Sequence, residues 1–399
     1  MNAALVMLVI VLAASVVVVV AEYAARRWIR RFGHYYVWTP GLRLHLHPDP
    51  VVSPKLEALA RIEVNADGER GDPVPRSAGR VYRVLVAGGS PVECALLDQS
   101  TSWPGALQRM LSAPQPLRTL GASAVHVGNI GFSGVTSQAL NLIFQRVLRR
   151  YHDLDVIVVM VGGNDVFEFI AAQGTASYGP RAIPASEFFS AHPEWPFAWA
   201  PRRLALIRLA LALRARWLRP VKTHHGSGKW VDKARAMRRR ALETRTATPD
   251  PTPMLALFEQ QLRELLAQAR RCARRVIVLR QPWFEKAYTA EDLAHIWHGA
   301  VGDPHRGDVS TYYSVEVLCR LMALVSARAA RVADDMGLEH VDLMPALEPS
   351  LETFYDFVHY TPAGAAIVAQ AVAAALRSAP ETAVPADDGI SARWPTAAR

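Results

Sequence analysis

A serine at the end of an apolar run is the first group in this sequence that suggests catalysis. The stretch "VYRVLVAGGSPVEC" (81–94) is mostly apolar up to a Gly-Gly pair and then places Ser90 at a tight turn. Such a turn can cradle a phosphate with backbone N–H groups, or it can present the serine as a nucleophile. Neither phosphate-binding glycine motif fits this stretch, and Pro91 lacks an N–H where a cradle needs one. The pattern therefore favours the nucleophile.

A serine nucleophile needs a base, and the base needs a group that orients it. The stretch "FYDFVHYTPAG" near the other end of the chain holds Asp356 and His359, three residues apart, in a loop that leads into the last predicted helix. At this spacing the carboxylate reaches one imidazole nitrogen while the other nitrogen faces outward. We therefore predict that Ser90, His359 and Asp356 are the nucleophile, base and orienting acid of an acyl-transfer site.

Two further turns offer donors for the oxyanion that develops in acyl transfer. "VGNIGFSGVTS" follows the second predicted strand and contains Gly134, whose backbone N–H is unobstructed. "VGGNDVF" follows the third predicted strand and contains Asn164, which has a side-chain amide. Ser90 adds its own N–H. These groups predict an oxyanion hole made of Ser90, Gly134 and Asn164.

These four segments, taken in order, resemble the motif blocks of the SGNH, or GDSL-type, hydrolases. "GGS", "NIGFSGVTS", "GGND" and "DFVHYTPAG" match the Ser, Gly, Asn and His blocks over roughly residues 82–376. Gly89 stands where the first block usually has Asp, a variant that resembles membrane-anchored members. The resemblance implies a flavodoxin-like three-layer α/β/α sandwich with a five-stranded, mostly parallel sheet. It also implies ester hydrolysis or transfer by a Ser-His-Asp site that needs neither metal nor organic cofactor. The rival α/β-hydrolase fold requires Gly-x-Ser-x-Gly, which Pro91 and Val92 do not fit.

The elements that must position these residues alternate between strands and helices. Apolar runs predict five strands, at 83–87, 123–129, 154–161, 274–281 and 338–344. Helical patterns fall at 103–111, 136–150, 313–336 and 361–376. This alternation predicts a parallel sheet with helices on both faces, whose chemistry lies at the carboxyl ends of the strands.

The N-terminus predicts a membrane anchor. No residue from 2 to 21 is charged, which is long enough for one helix to cross a bilayer, and "ARRWIRR" follows directly. The positive-inside rule then predicts a cytoplasmic catalytic domain, with a periplasmic or extracellular one as the alternative. We expect an anchor at 1–22, an approach segment at 23–80, a hydrolase domain at 81–378 with an insertion at about 167–253, and a disordered tail at 379–399.

The composition limits the classes of partner. The chain has 399 residues, is 51% hydrophobic and carries a net charge of +9, so it is globular rather than disordered. Three cysteines argue against a disulfide framework and give no metal spacing. Positive charge gathers at 201–245, which is either a membrane-surface helix or a solvated basic face. No nucleic-acid module accompanies it, so we expect an ester substrate, carried by a lipid or an acylated glycan, and no nucleic acid.

Other candidate residues leave the alternatives open. Trp283 and Phe284 follow the fourth strand and either wall the acyl pocket or belong to the core. The histidines that come in groups show no complete metal-ligand set: His45, His47, His295, His298 and His305. The candidate functions are a serine esterase, an O-acyltransferase acting on a glycan or lipid hydroxyl, and a non-catalytic binding protein on a hydrolase fold. The filled catalytic positions argue against the third.

Overall fold

The structure, a computed structural model, describes residues 3–76, 79–174, 178–218 and 220–378. The strands are β1 (Arg43–Pro48), β2 (Ala60–Glu63), β3 (Val81–Gly88), β4 (Ala124–Asn129), β5 (Leu154–Met160), β6 (Val221–Ser227), β7 (Glu243–Arg245), β8 (Ala273–Arg280), β9 (Thr311–Tyr313) and β10 (Glu339–Asp342). The helices are α1 (Ala3–Phe32), α2 (Ser90–Glu93), α3 (Trp103–Leu111), α4 (Pro114–Thr119), α5 (Ser137–Val147), α6 (Gly163–Ala171), α7 (Ala185–Phe188), α8 (Ala205–Leu218), α9 (Trp230–Arg239), α10 (Thr252–Cys272), α11 (Ala290–His295), α12 (Val315–Asp335) and α13 (Pro362–Arg377). The predicted tail at 379–399 lies outside the described residues.

The five predicted strands form the central sheet, in the order β10-β8-β5-β3-β4 and parallel throughout. Every residue of β5 is buried, because a central parallel strand is covered on both faces. Helices α5, α10 and α12 pack together, and α3 packs on α13, which gives the outer layers of a three-layer α/β/α sandwich. The predicted fold class is therefore confirmed.

The register brings the candidate site residues to one edge of this sheet. Val86 of β3 pairs with Val158 of β5, which in turn pairs with Ile277 of β8. Since the strands are parallel and in step, the turns that follow β3, β4 and β5 lie side by side. Those turns carry the first three candidate motifs.

The approach segment (23–80) and the insertion (167–253) meet in a second sheet. In this sheet β1 pairs antiparallel with β2 and parallel with β6, which belongs to the insertion. Trp38 and Ile62 of the approach segment are buried in the same hydrophobic cluster as the central sheet. Both sequence regions therefore pack on the hydrolase fold.

The first helix, α1, is long and apolar enough to span a membrane. Its most apolar 18-residue window has a mean hydropathy of 3.2, and none of that window is buried against the protein. Within the described part of the chain no other helix passes this test. The residues of α1 that are buried, Glu22 and Ala25, both follow the uncharged stretch.

Candidate active site

Ser90, His359 and Asp356 form a continuous hydrogen-bonded chain. His359 Nε2 lies 2.8 Å from Ser90 Oγ, and His359 Nδ1 lies 2.8 Å from Oδ2 and 2.9 Å from Oδ1 of Asp356. Because the carboxylate can only accept, we assign the imidazole hydrogen to Nδ1, which leaves Nε2 free to accept the serine hydroxyl hydrogen. The geometry thus supplies a nucleophile, a base and an orienting acid in that order.

The Asp356 carboxylate is buried but well provided with donors. Only 1% of the residue is exposed, and Oδ1 accepts the backbone N–H groups of Val358 at 3.0 Å and His359 at 2.9 Å. Trp297 donates its indole N–H to Oδ2 at 3.0 Å. Burial alone would raise the pKa of Asp356, but the His359 imidazole and the Val358 N–H outweigh burial and hold that pKa well below its usual range. Asp356 is therefore ionised wherever His359 can act as a base.

Ser90 lies at a turn where Gly89 packs closely against Asn164. Ser90 is the first residue of the short helix α2, and Gly89 precedes it in an extended conformation. A Cβ at residue 89 would lie 2.6 Å from Asn164 Nδ2, closer than Cβ contacts in real proteins. The side-chain amide of Asn164 thus occupies the space beside residue 89, and a side chain at this position would have to displace it.

The three oxyanion candidates lie on the adjoining turns at this edge. Asn164 Nδ2 donates one hydrogen to the Val135 carbonyl at 3.0 Å, which leaves its second N–H free for a ligand. Gly134 is exposed and has a φ of 76°, a left-handed conformation that favours glycine. Within the described residues, no protein acceptor is found for the backbone N–H groups of Ser90 and Gly134.

A buried carboxylate ties the second and third motifs together. Asp165 accepts the Ser137 backbone N–H at 3.0 Å and the Ser137 hydroxyl at 2.5 Å. Thr136, one residue earlier, caps α5 by accepting the Ala139 N–H at 3.3 Å. Burial raises the pKa of Asp165 to about 7. These bonds fix the turn that carries Gly134 relative to the turn that carries Asn164.

Comparison with known proteins identifies the family of this chain. The model of the GDSL-like lipase/acylhydrolase family matches residues 85–367. The chain belongs to this family. Its membership supports an esterase that hydrolyses or transfers acyl groups of esters. The resemblance predicted from the sequence is thus confirmed.

The chain is also distantly similar to solved structures of other proteins. The acetylxylan esterase Axe2 from Geobacillus stearothermophilus is 15% identical with a TM-score of 0.37, over 73% of this chain and 92% of that chain. LAE5, an alpha/beta hydrolase enzyme from the metagenome of Lake Arreo, Spain, is 15% identical with a TM-score of 0.40, over 75% of this chain and 97% of that chain. No curated protein matches the sequence significantly.

Arg70 supports the turn that carries Ser90, and sequence reasoning missed it. Its side chain is buried and donates to the carbonyls of Cys94 at 2.9 Å and Leu97 at 2.8 Å, and also to the Glu93 carbonyl. The Glu93 and Cys94 carbonyls lie at the end of α2, the helix that begins with Ser90, and Leu97 lies in the loop that follows. Arg70 therefore ties the end of this helix to the loop after it. No local motif marks Arg70, because its partners follow it by more than twenty residues.

The insertion also contacts the GDSL-like site, through α9. Trp230 packs edge-on against Trp297, the donor to Asp356, with ring centroids 4.7 Å apart. Arg235, one turn further along α9, donates to the Tyr355 carbonyl at 3.0 Å, directly before Asp356 in the chain, and to the Val51 carbonyl at 2.8 Å. Helix α9 therefore holds the loop that carries the acid and the base.

Of the histidines considered for a metal site, His298 lies beside Asp356 and His359. One ligand atom each from His298, Asp356 and His359 lie within 4.8 Å of one another, and no other such group occurs among the described residues. Burial lowers the pKa of His298 to about 3, so this imidazole is neutral at physiological pH. Trp283 and Phe284 are at most 1% exposed and belong to the core cluster, so neither faces an open pocket here.

Proposed function

We propose that this chain is a membrane-anchored serine hydrolase that cleaves carboxylic esters. The observation that carries the proposal is the unbroken chain from Ser90 Oγ through His359 to the Asp356 carboxylate, with 2.8 Å contacts at both imidazole nitrogens. As Ser90 Oγ attacks the ester carbonyl carbon, His359 Nε2 takes the hydroxyl proton. Asp356 remains ionised and stabilises the imidazolium that forms.

The tetrahedral intermediate then breaks down to an acyl-enzyme. Its oxyanion accepts hydrogen bonds from the Ser90 and Gly134 N–H groups and from the free N–H of Asn164. His359 gives its proton to the leaving alkoxide, which departs as the alcohol and leaves the acyl group on Ser90. Water then attacks the acyl carbon while His359 takes a proton from it. His359 returns this proton to Ser90 Oγ as the bond between Oγ and the acyl carbon breaks, and the carboxylic acid is released. A sugar or lipid hydroxyl in place of water would give acyl transfer by the same steps.

Labelling with a fluorophosphonate probe tests this assignment. We expect wild type to be labelled, Ser90→Ala to lose labelling, and Ser112→Ala, which changes an exposed serine at the end of α3, to keep it. Equal labelling of wild type and Ser90→Ala would overturn the nucleophile. Product analysis with short-chain and long-chain esters, with and without an added sugar acceptor, then distinguishes hydrolysis from transfer.

The membrane anchor is part of the same proposal. The 19 uncharged residues of 3–21 form a helix about 28 Å long at 1.5 Å per residue, close to the thickness of a bilayer core. The end of α1 is built into the folded protein, because Glu22 and Ala25 are buried there. This supports a retained anchor rather than a removable leader. Protease added to intact cells should leave a cytoplasmic catalytic domain intact, and digestion of that domain would place it outside.

A further inference from the structure

The N-terminus of α8 is fixed to α1 through Glu22. The Glu22 carboxylate is buried and accepts the backbone N–H groups of Ala205 at 2.8 Å and Leu206 at 3.0 Å. It also accepts the Nε–H of Arg26 at 2.7 Å. A carboxylate at this position caps the N-terminus of the helix and interacts favourably with the positive end of the helix dipole. Because Glu22 directly follows the uncharged stretch, α8 begins where α1 leaves the hydrocarbon of a membrane.

The outer face of α8 is exposed and largely apolar. Leu211 and Leu218 are 56% and 65% exposed, and their spacing of seven residues places them on one helix face. Arg214 lies between them on that face and is also exposed. Arg208, three residues before Leu211, lies over the Trp195 ring, 3.3 Å from its centroid. Leucines beside arginines suit a bilayer surface, where apolar side chains enter the acyl region while the charged heads stay at the phosphates.

Exposed aromatic rings surround the junction of α1 and α8. Tyr23 of α1 lies edge-on to Trp199, with ring centroids 6.2 Å apart, and both residues are more than half exposed. The Arg26 guanidinium lies over the Trp199 ring at 5.1 Å. Trp217, near the far end of α8, is 80% exposed. Tyr and Trp beside basic residues are typical of the boundary between membrane and water.

We infer that α8 lies in the plane of an anionic lipid bilayer, with Leu211 and Leu218 in its surface layer. The inference rests on the proposed anchor, because α1 sets the height at which α8 begins. Three observations support a bilayer as the occupant of this face. Helix α8 begins next to α1, aromatic rings lie at both ends of α8, and the segment 201–245 that contains α8 is positively charged. Two membrane contacts at different angles would hold the catalytic domain at a fixed tilt, which α1 alone would not.

An environment-sensitive fluorophore on α8 tests the inference. The full chain, with the half-buried Cys272 changed to Ala, carries an NBD label at Leu211→Cys in vesicles of phosphatidylcholine and phosphatidylglycerol. The matched control carries the label at Leu242→Cys, an 88% exposed residue between α9 and β7. We expect the label at 211 to shift to shorter wavelength and to be quenched by lipids with a nitroxide high in the acyl chain. The label at 242 should do neither.

Extraction with alkaline carbonate separates this inference from the anchor. Protein that stays in the vesicles while the label at 211 behaves like the label at 242 would overturn the position of α8 and leave the anchor intact. A blue shift at 211 without quenching by lipid would mean that another protein surface covers α8, which also overturns it. Release of the protein by carbonate would overturn the anchor, and the inference with it.

Discussion

Replacing Arg70 with Met should weaken both the fold and the nucleophile turn. The substitution keeps much of the buried volume but removes a charged donor from the carbonyls of Cys94 and Leu97. A hydrogen bond from a charged group contributes roughly 1.5–3 kcal/mol, so the loss of these two bonds alone should lower the free energy of unfolding by about 3–6 kcal/mol. The lost bonds to the Glu93 carbonyl and to Gln99 Oε1 add to this effect. That is a large part of the roughly 5–15 kcal/mol by which proteins are stable.

Catalysis should fall for a related reason. Arg70 secures the end of α2, and Ser90 begins that helix, so a loosened α2 misplaces the hydroxyl relative to His359. We expect Arg70→Met to lower kcat on a soluble ester more than it raises KM, measured per folded enzyme. Arg70→Lys should recover only part of the loss, because an ammonium cannot match the fork of the guanidinium.

Arg43 provides the control for this experiment. It is another arginine of the approach segment and pairs with Glu63 at 2.9 Å, and both side chains are exposed to solvent, at 39% and 53%. Exposed ion pairs contribute little to stability, so Arg43→Met should resemble wild type in urea unfolding and in kcat. Equal behaviour of the two Met variants would refute the role of Arg70. Reduced stability with unchanged kcat per folded enzyme would refute only its effect on Ser90.

Three further substitutions test the rest of the site and its support. Asp356→Asn should lower kcat about 10⁴-fold in an ester assay, because the wrong imidazole tautomer then faces Ser90. A kcat near the wild-type value would contradict the assignment of Asp356 as the orienting acid. Trp297→Phe should lower kcat/KM roughly ten- to a hundredfold, because it removes the hydrogen bond from the indole N–H to the charged Asp356 carboxylate. An unchanged kcat/KM would show that the indole N–H is dispensable. Burial opposes the ionisation of Glu69, but its bond and charge interaction with His126 lower the pKa of Glu69 from 4.5 to about 2. The stabilisation that the ionised Glu69 contributes is complete above about pH 4.5 and is lost as the pH falls towards 2. The Tm of wild type should therefore fall more steeply in this pH range than the Tm of Glu69→Gln. Parallel curves of Tm against pH would refute this.

The sequence was sufficient for the sheet and for the catalytic chain, because both follow from local patterns. A run such as β5, apolar on both faces, is recognisable without knowledge of its neighbours. Asp356 and His359 share one loop, so their spacing alone predicts that they meet. Ser90 and Asn164 follow strands of one parallel sheet, and the carboxyl ends of such strands converge. The contact between Ser90 and His359, 269 residues apart, then follows from the family pattern.

The supporting residues could not be predicted, because their partners are distant and their types are misleading. An arginine in a sequence is ordinarily an exposed residue, yet Arg70 and Arg235 are buried against backbone carbonyls. Those carbonyls come from segments whose approach only the tertiary fold defines. Trp297 lies in a stretch whose histidines suggested a metal site, and nothing in the sequence indicated a role for its indole. Trp283 had two interpretations, and its burial in the core could not be read from its place after a strand.

The bond between Arg235 and Val51 limits how far the chain can be truncated from its N-terminus without loss of activity. A fragment trimmed to the family-matched residues 85–367 retains every reacting group but loses Val51 and Arg70. Arg235 would then hold the loop before Asp356 without its bond to Val51, and the turn that carries Ser90 would lack its buried cation. The minimal active unit is therefore expected to begin before Val51, well ahead of the family-matched residues.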